Sequence, residues 1–219
     1  MSERSKIFLV DDHPLVREWL TTLINQESNL VVCGEAEDAQ RALHDIAAMQ
    51  PNVAIVDLSL KGSSGLELIK TLKTKAPDVA VIVLSMHDEK LYAERVIRAG
   101  ARGYVMKRET TKKIISAIQH VLQGKLWVSD QMTAAFAEKF VGGQQGASES
   151  LIEHLSDREL EVFNLLGRGL ETRKVAETLN VSIKTVQAYC ARIKQKLKLS
   201  TATELLREAI RWNAREADD

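Results

Sequence analysis

Cysteine, proline and aromatic side chains are scarce in this chain of 219 residues, and no long apolar run interrupts it. The two cysteines, Cys33 and Cys190, lie far apart and neither belongs to a CxxC pair, which argues against a zinc site or a disulfide framework. Both fall among apolar residues and read as core cysteines. Three prolines and eleven glycines exclude a collagenous or low-complexity chain. No stretch approaches the roughly 18 apolar residues of a membrane span. The apolar run in MSERSKIFLVDD is also too short for a signal-peptide core, so a cytoplasmic protein with no membrane contact is expected. An excess of charge is missing as well: 30 Lys and Arg face 30 Asp and Glu. That balance argues against a polybasic coat only on average, because charge can be unevenly distributed.

What is present is a regular alternation. Short apolar runs rich in β-branched residues begin at Ile7, Leu30, Val53, Val79 and Gly103, separated by segments of helical period. Their spacing matches one strand, one helix and their loops. Continuous apolar strands alternating with helices predict a parallel sheet covered on both faces. Residues 1–123 therefore read as an α/β, doubly wound domain of five βα units. From Gly124 to Ser150 the pattern weakens to a linker with a short helix near Asp130–Phe140, ending in the Gly/Ser-rich GGQQGASES. Residues 151–219 then turn all-helical. Ser156 and Glu159 form a capping box, and a helix is expected over Glu171–Leu179. Asn180-Val181-Ser182 makes a three-residue turn before a helix carrying Ile183, Val186, Cys190, Ile193 and Leu197 as its buried stripe. Two short helices joined by such a turn have helix-turn-helix spacing. A last helix is expected from about Thr201 to Trp212.

Ligand sites in open parallel sheets lie beyond the carboxyl ends of the strands, at the switch in strand order. The polar residues there are Asp11 and Asp12, Asp57, Ser85 and Lys107. Three acids so close would repel one another unless a cation lay between them. Magnesium suits such a site because it prefers oxygen ligands, keeps several waters and accepts a phosphate in its shell.

The segments VDDHP (10–14), VDLSLKGSSGLEL (56–68), VLSMHDE (83–89) and GYVMKRE (103–109) resemble the receiver domain of two-component response regulators, over the whole of residues 1–123. The resemblance implies a flavodoxin-like fold in which Asp57 accepts a phosphoryl group from a histidine kinase. It further implies that Asp11, Asp12, Asp57 and the backbone carbonyl of Ser59 hold Mg2+, while Ser85 and Lys107 bind the phosphoryl oxygens. The chemistry fits these roles: Asp57 is a carboxylate nucleophile forming an acyl phosphate, and catalysis is mainly positioning and electrostatics. Ser85 would then move toward the new oxygen, leaving space for Tyr104, which stands where the family has its switch aromatic. By itself, a tyrosine there would read as a half-exposed strand residue. His13 and His87 read as loop histidines at the mouth of the site rather than as ligands.

Residues 155–206, from LSDRELEVFNLLGRGL through VSIKTVQAYCARIKQKL, resemble the LuxR-type DNA-binding domain of the NarL/FixJ class. Between Val181 and Lys198 there are five basic residues (Lys184, Arg192, Lys194, Lys196 and Lys198) and no acid, a footprint for phosphates. The face opposite the apolar stripe presents Lys184, Gln187, Ala188, Ala191, Arg192 and Gln195. The resemblance places the major-groove readers at Gln187, Ala188 and Ala191. Gln can pair with adenine and an alanine methyl can pack on thymine. Lys184, Thr185, Arg192 and Lys194 would position the helix on the backbone of double-stranded DNA. Leu205, Leu206, Ile210 and Trp212 of the last helix are expected either at a homodimer contact or inside their own domain.

The sequence thus points to a phosphorylation-dependent transcriptional regulator, not an enzyme beyond autocatalytic phosphoryl acceptance and hydrolysis at Asp57. An alternative is a regulator whose receiver is a phosphorylation-independent interaction module; the complete acid set with Lys107 argues against it. A free-standing Asp-nucleophile phosphatase lacks support, since Ser59 stands where it would need a second acid.

Overall fold

The computed structural model describes residues 4–60, 64–142 and 151–218. They form two compact units, Met1–Val141 and Gly142–Asp219.

The first unit alternates β1 (Ser5–Val10), α1 (Pro14–Asn25), β2 (Leu30–Ala36), α2 (Ala39–Met49), β3 (Val53–Val56), α3 (Gly65–Lys75), β4 (Ala80–Ser85), α4 (Glu89–Ala99), β5 (Gly103–Met106) and α5 (Thr111–Leu122), followed by α6 (Asp130–Gly142). All five strands are parallel, in the order β2-β1-β3-β4-β5. The helices start where the local chemistry permits. Pro14 opens α1, where its missing N–H costs nothing, and the Asp38 and Asp88 side chains accept from backbone N–H groups at the starts of α2 and α4.

The strands read as unbroken apolar runs because both faces of the sheet are covered. All four residues of β3 are buried. On one face Ile7, Leu9, Ile55, Ile82, Leu84 and Val105 pack with Leu20 and Ile24 of α1 and Ile114, Ile118 and Val121 of α5. Each large aliphatic side chain buried in this way contributes about 1.5–3 kcal/mol. The strand order reverses between β1 and β3, so the loops after these two strands splay apart and leave a crevice at their carboxyl ends.

The first unit does not end with α5. Gly124 and the residues after it, expected as linker, return along the outer edge of β5. Trp127 N–H donates to the Arg102 carbonyl and Tyr104 N–H donates to the Trp127 carbonyl, both at 2.9 Å, making a short parallel bridge at Gly103. The edge N–H and C=O groups of β5 would otherwise lack partners in the sheet. The unit therefore takes in α6, and the Gly/Ser-rich expectation for 143–150 lies outside the described residues.

In the second unit a 3-10 turn (Leu151–His154) precedes α7 (Asp157–Gly167), α8 (Thr172–Thr178), α9 (Ile183–Leu197) and α10 (Ala202–Asp218). The capping box of Ser156 and Glu159 is formed, and Ser182 caps α9 through Thr185 N–H. The core joins Leu160, Phe163, Val175, Val186, Ile193, Leu205 and Ala209. At Gly167 a Cβ would overlap the Ala209 carbonyl, so glycine lets α7 and α10 approach closely. Helix α10 runs to Asp218, past the expected end at Trp212, as it contains no proline or glycine to stop it.

Three sequence expectations change. Ile183 is exposed, at the first residue of α9, where the helix has not yet turned its apolar stripe into the core. Cys33 and Cys190 are half-buried rather than core residues. Cys190 sits where the stripe has rotated partly off the domain core, and Cys33 lies on β2, an edge strand of the sheet. Burial still raises both thiols above their ordinary value, so neither is an activated thiolate.

Candidate functional site

The crevice beyond β1 and β3 collects the acids. Asp11 and Asp57 are buried and Asp12 is half-buried; ligating atoms of these three and of His13 all lie within 4.8 Å of one another. Lys107, carried in from the end of β5, lies between the two buried acids, with Nζ 2.6 Å from Asp11 Oδ2 and 2.7 Å from Asp57 Oδ2. The other Asp57 oxygen, Oδ1, accepts a longer bond from Ser59 N–H at 3.2 Å.

Burial pushes the Asp57 carboxyl above its ordinary range, and the Lys107 ammonium offsets only part of that. Burial also opposes the charge on Lys107, but the Asp57 and Asp11 carboxylates outweigh it and hold the ammonium above its ordinary value. The acids exceed the lysine in number, and the local charge is negative. Among the described residues, Asp12 Oδ1 is a buried oxygen with no hydrogen-bond partner, although His13 Nδ1 stands 2.8 Å from it in poor geometry. An unsatisfied carboxylate oxygen beside two further carboxylates is a donor set for a hard divalent cation, and the residues fit magnesium.

Ser85 and Tyr104 lie on the neighbouring strands, both buried. Tyr104 is 1% exposed, unlike the half-exposed strand residue its neighbours alone would suggest, because β5 is covered by α4 and by the Trp127 segment. Its hydroxyl donates to the His87 carbonyl at 2.8 Å. Burial drives that hydroxyl well above its ordinary pKa, with a bond from Ser85 offsetting part of it. His87 also differs from the expected loop histidine at the mouth: it is buried, and its Nε2 lies 3.0 Å from Ser59 Oγ.

Arg17 and Gly65 support the site and escaped the sequence reading, while His13, read as a loop histidine at the mouth, is exposed there. Arg17 donates to the Asp11 carbonyl at 2.6 Å and fixes the β1–α1 loop. His13 joins the acid cluster through Asp11, at 3.1 Å. Gly65 leaves room for the main chain at the acceptor residue, since a Cβ there would overlap the Asp57 carbonyl. Of Arg17 and Gly65, only the glycine at a helix start carried a sequence signal.

In the second unit, Lys184, Gln187, Ala188, Ala191, Arg192 and Gln195 are exposed together on one face of α9. Thr185 and Lys194 are half-buried, and the Thr185 hydroxyl lies 2.8 Å from Ser182 Oγ within the cap. Arg192 lies over the Tyr189 ring, 5.9 Å from its centre. Lys196 leaves the expected cationic set: its Nζ is 2.6 Å from Glu159 Oε2 and 3.1 Å from the His154 carbonyl. On α10, Leu205 is buried while Leu206 and Ile210 are exposed.

A switch-point acid pocket with a bridging lysine, followed by a capped helix-turn-helix unit, defines a receiver joined to a DNA-binding domain. Residues 7–119 match the family model described as response regulator receiver domain, and residues 153–209 match that of bacterial regulatory proteins, luxR family. The chain belongs to the response regulators of this two-domain class, whose makeup is that of a phosphorylation-regulated transcription regulator rather than an enzyme.

Among its relatives is the oxygen regulatory protein NreC of Staphylococcus carnosus (strain TM300), 34% identical over 210 residues, which cover 94% of this chain and 97% of that one. NreC of Staphylococcus aureus (strain JH9) is 31% identical over the same shares. Among solved structures, RcsB of Salmonella enterica serovar Typhimurium, bound to promoter rprA in the presence of phosphomimetic BeF3-, aligns with a TM-score of 0.67 at 27% identity, over 94% of this chain and 98% of that one. A LuxR-family two-component response regulator from Aurantimonas sp. SI85-9A1 aligns over 64% of this chain and 99% of its own, with a TM-score of 0.59 at 31% identity. No helix among the described residues is long and apolar enough to cross a membrane.

Proposed function

We propose that Asp57 accepts a phosphoryl group from the phosphohistidine of a sensor kinase and that this controls dimerisation and promoter binding. The observation that carries the reading is Lys107 Nζ lying within 2.7 Å of both Asp57 and Asp11 in a crevice that still holds excess negative charge. The Asp57 oxygen not held by Lys107 attacks phosphorus, and the P–N bond to the donor imidazole breaks with its electron pair remaining on nitrogen. Lys107 and the Ser85 hydroxyl would bind the phosphoryl oxygens. Asp11, Asp12, Asp57 and the Ser59 carbonyl would hold magnesium, which supplies further positive charge to the transferring group. Attack by water on phosphorus breaks the P–O bond to Asp57, releasing inorganic phosphate and the free carboxylate, and ends the signal. Tyr104, already inward and tied to His87, would follow the movement of Ser85.

The exposed face of α9 enters the major groove of double-stranded DNA. Gln187, Ala188 and Ala191 meet base edges there, and Lys184, Thr185, Arg192 and Lys194 meet phosphates. Leu206 and Ile210 on α10 form an apolar pair suited to a homodimer contact that aligns two half-sites. One RcsB relative was solved as two dimers bound to two parallel DNAs, which supports this reading.

The test is Asp57→Ala. Wild type is expected to take up phosphate from acetyl phosphate with magnesium, to dimerise, and to select a two-half-site sequence from a random DNA pool. The variant should take up none and lose the donor-dependent gain. A variant that dimerises and selects DNA like wild type overturns the coupling.

A further inference from the structure

His87 stands at a junction that the phosphoryl chemistry described above does not use. Its ring bonds to Ser59 at 3.0 Å, two residues past the acceptor, and stacks on Tyr92 of α4 with ring centres 4.6 Å apart. Its main chain meets both switch residues: the N–H donates to Ser85 Oγ at 3.3 Å, and the carbonyl accepts from the Tyr104 hydroxyl at 2.8 Å. Ser59 in turn touches the acceptor, its N–H donating to Asp57 Oδ1 at 3.2 Å. A continuous chain of contacts therefore runs Asp57–Ser59–His87 and divides there to Ser85 and Tyr104. Asp57, Ser85, His87 and Tyr104 are buried and Ser59 is exposed, so it is the bonds at the switch end of the chain that water does not freely replace.

We propose that His87 is a positioning residue that couples the acceptor loop to the Ser85–Tyr104 switch, along a route separate from the direct movement of Ser85 toward the phosphoryl group. When the Asp57 loop shifts to take a phosphoryl group, Ser59 shifts with it. Its hydroxyl pulls or releases the His87 ring, and the His87 main chain carries that displacement to both switch side chains.

The inference rests on Asp57 being the acceptor, and the test separates the two. The full chain carries three tyrosines, so 3-fluorotyrosine labelling gives three 19F signals, of which Tyr104 is assigned by Tyr104→Phe. His87→Phe keeps the stack on Tyr92 and removes the bond to Ser59; His87→Gln keeps an amide nitrogen able to reach Ser59. With magnesium, beryllofluoride is expected to bind His87→Phe within about twofold of wild type, a small change beside the factor of ten that 1.4 kcal/mol represents. The Tyr104 signal should no longer shift fully in that variant, and the gain in dimerisation on adding beryllofluoride should fall about fivefold, the net effect of one hydrogen bond. His87→Gln should restore both. Normal beryllofluoride binding with a full Tyr104 shift in His87→Phe overturns the inference and leaves Asp57 as acceptor. A His87→Gln variant that behaves like His87→Phe also overturns it, since the bond to Ser59 would then not be what carries the coupling. Failure of wild type to bind beryllofluoride overturns the acceptor reading itself.

Discussion

Gly65 illustrates how a residue without chemistry can govern a reactive one. Any side chain at this position would displace the main chain of Asp57 and Leu58, because the start of α3 runs against the end of β3. Gly65→Ala is expected to destabilise the first unit by about 1–3 kcal/mol, the usual range for forcing a methyl group into a packed site. Phosphoryl uptake should fall with it, as the acceptor carboxyl moves away from Lys107. Urea unfolding and uptake from acetyl phosphate measure the two effects. Unchanged stability would show that the α3 start yields without moving Asp57. At this scale the acids and Lys107 were legible in the sequence because a strand end is a fixed address: five residues following four different strands had to meet on one edge of the sheet. Arg17 and His87 were not legible. Their contacts depend on how loops fold across the crevice, and their residue types carry no signature of it. The burial of Tyr104 could not be read from its own neighbours for the same reason, since its cover comes from α4 and Trp127, distant in sequence.

Among the elements, α9 shows what local pattern determines and what it leaves open. Its start, its cap and its exposed face follow from residues 182–195 alone, and the structure has them as the periodicity implies. Its anchoring does not follow. Glu159 closes the capping box of α7 and also binds Lys196 of α9, 37 residues away, so one buried carboxylate joins two helices. Burial works against the charge on Glu159, but the bonds from Lys196 and Ser156 outweigh it and lower the carboxyl below its ordinary value of 4.5. A lowered folded value stabilises the charged form. The contribution is therefore complete above pH 4.5 and fades as pH falls toward the folded value. Glu159→Gln should destabilise the second unit at pH 7 and flatten the acid side of its stability profile. Lys196→Met should do the same to a lesser degree, since Ser156 still holds the carboxylate. Denaturant titrations between pH 7 and about pH 3 would check both, the window being set by ordinary carboxylate titration. An acid limb as steep in Glu159→Gln as in wild type would mean that other carboxylates carry the dependence.

For the whole molecule, the neutral total of 30 basic against 30 acidic residues conceals opposite local fields: an acid crevice in one unit and a cationic helix face in the other. The division into an α/β and a helical part was legible because the period of apolar residues changes between them. The point at which the first unit ends was not, because the Trp127 bridge is a pairing of backbone with backbone, for which sequence pattern gives little sign over so few residues. Its consequence can be measured. A fragment of residues 1–123 leaves Tyr104 N–H and the Arg102 carbonyl without their partners and uncovers Gly103, which a Trp127 Cβ at 3.3 Å would otherwise crowd against any side chain there. It also removes the ring that meets His120 edge-on at 5.4 Å. Two edge hydrogen bonds and one partly buried indole together amount to about 3 kcal/mol. A fragment of residues 1–141 should keep that contribution and unfold in a single urea transition at a clearly higher midpoint than 1–123. Trp127→Ala in the full chain should lower the first unit's midpoint and leave the second unit's unchanged, because the two units have separate cores. Equal midpoints for the two fragments would return Gly124–Ser129 to the role of linker.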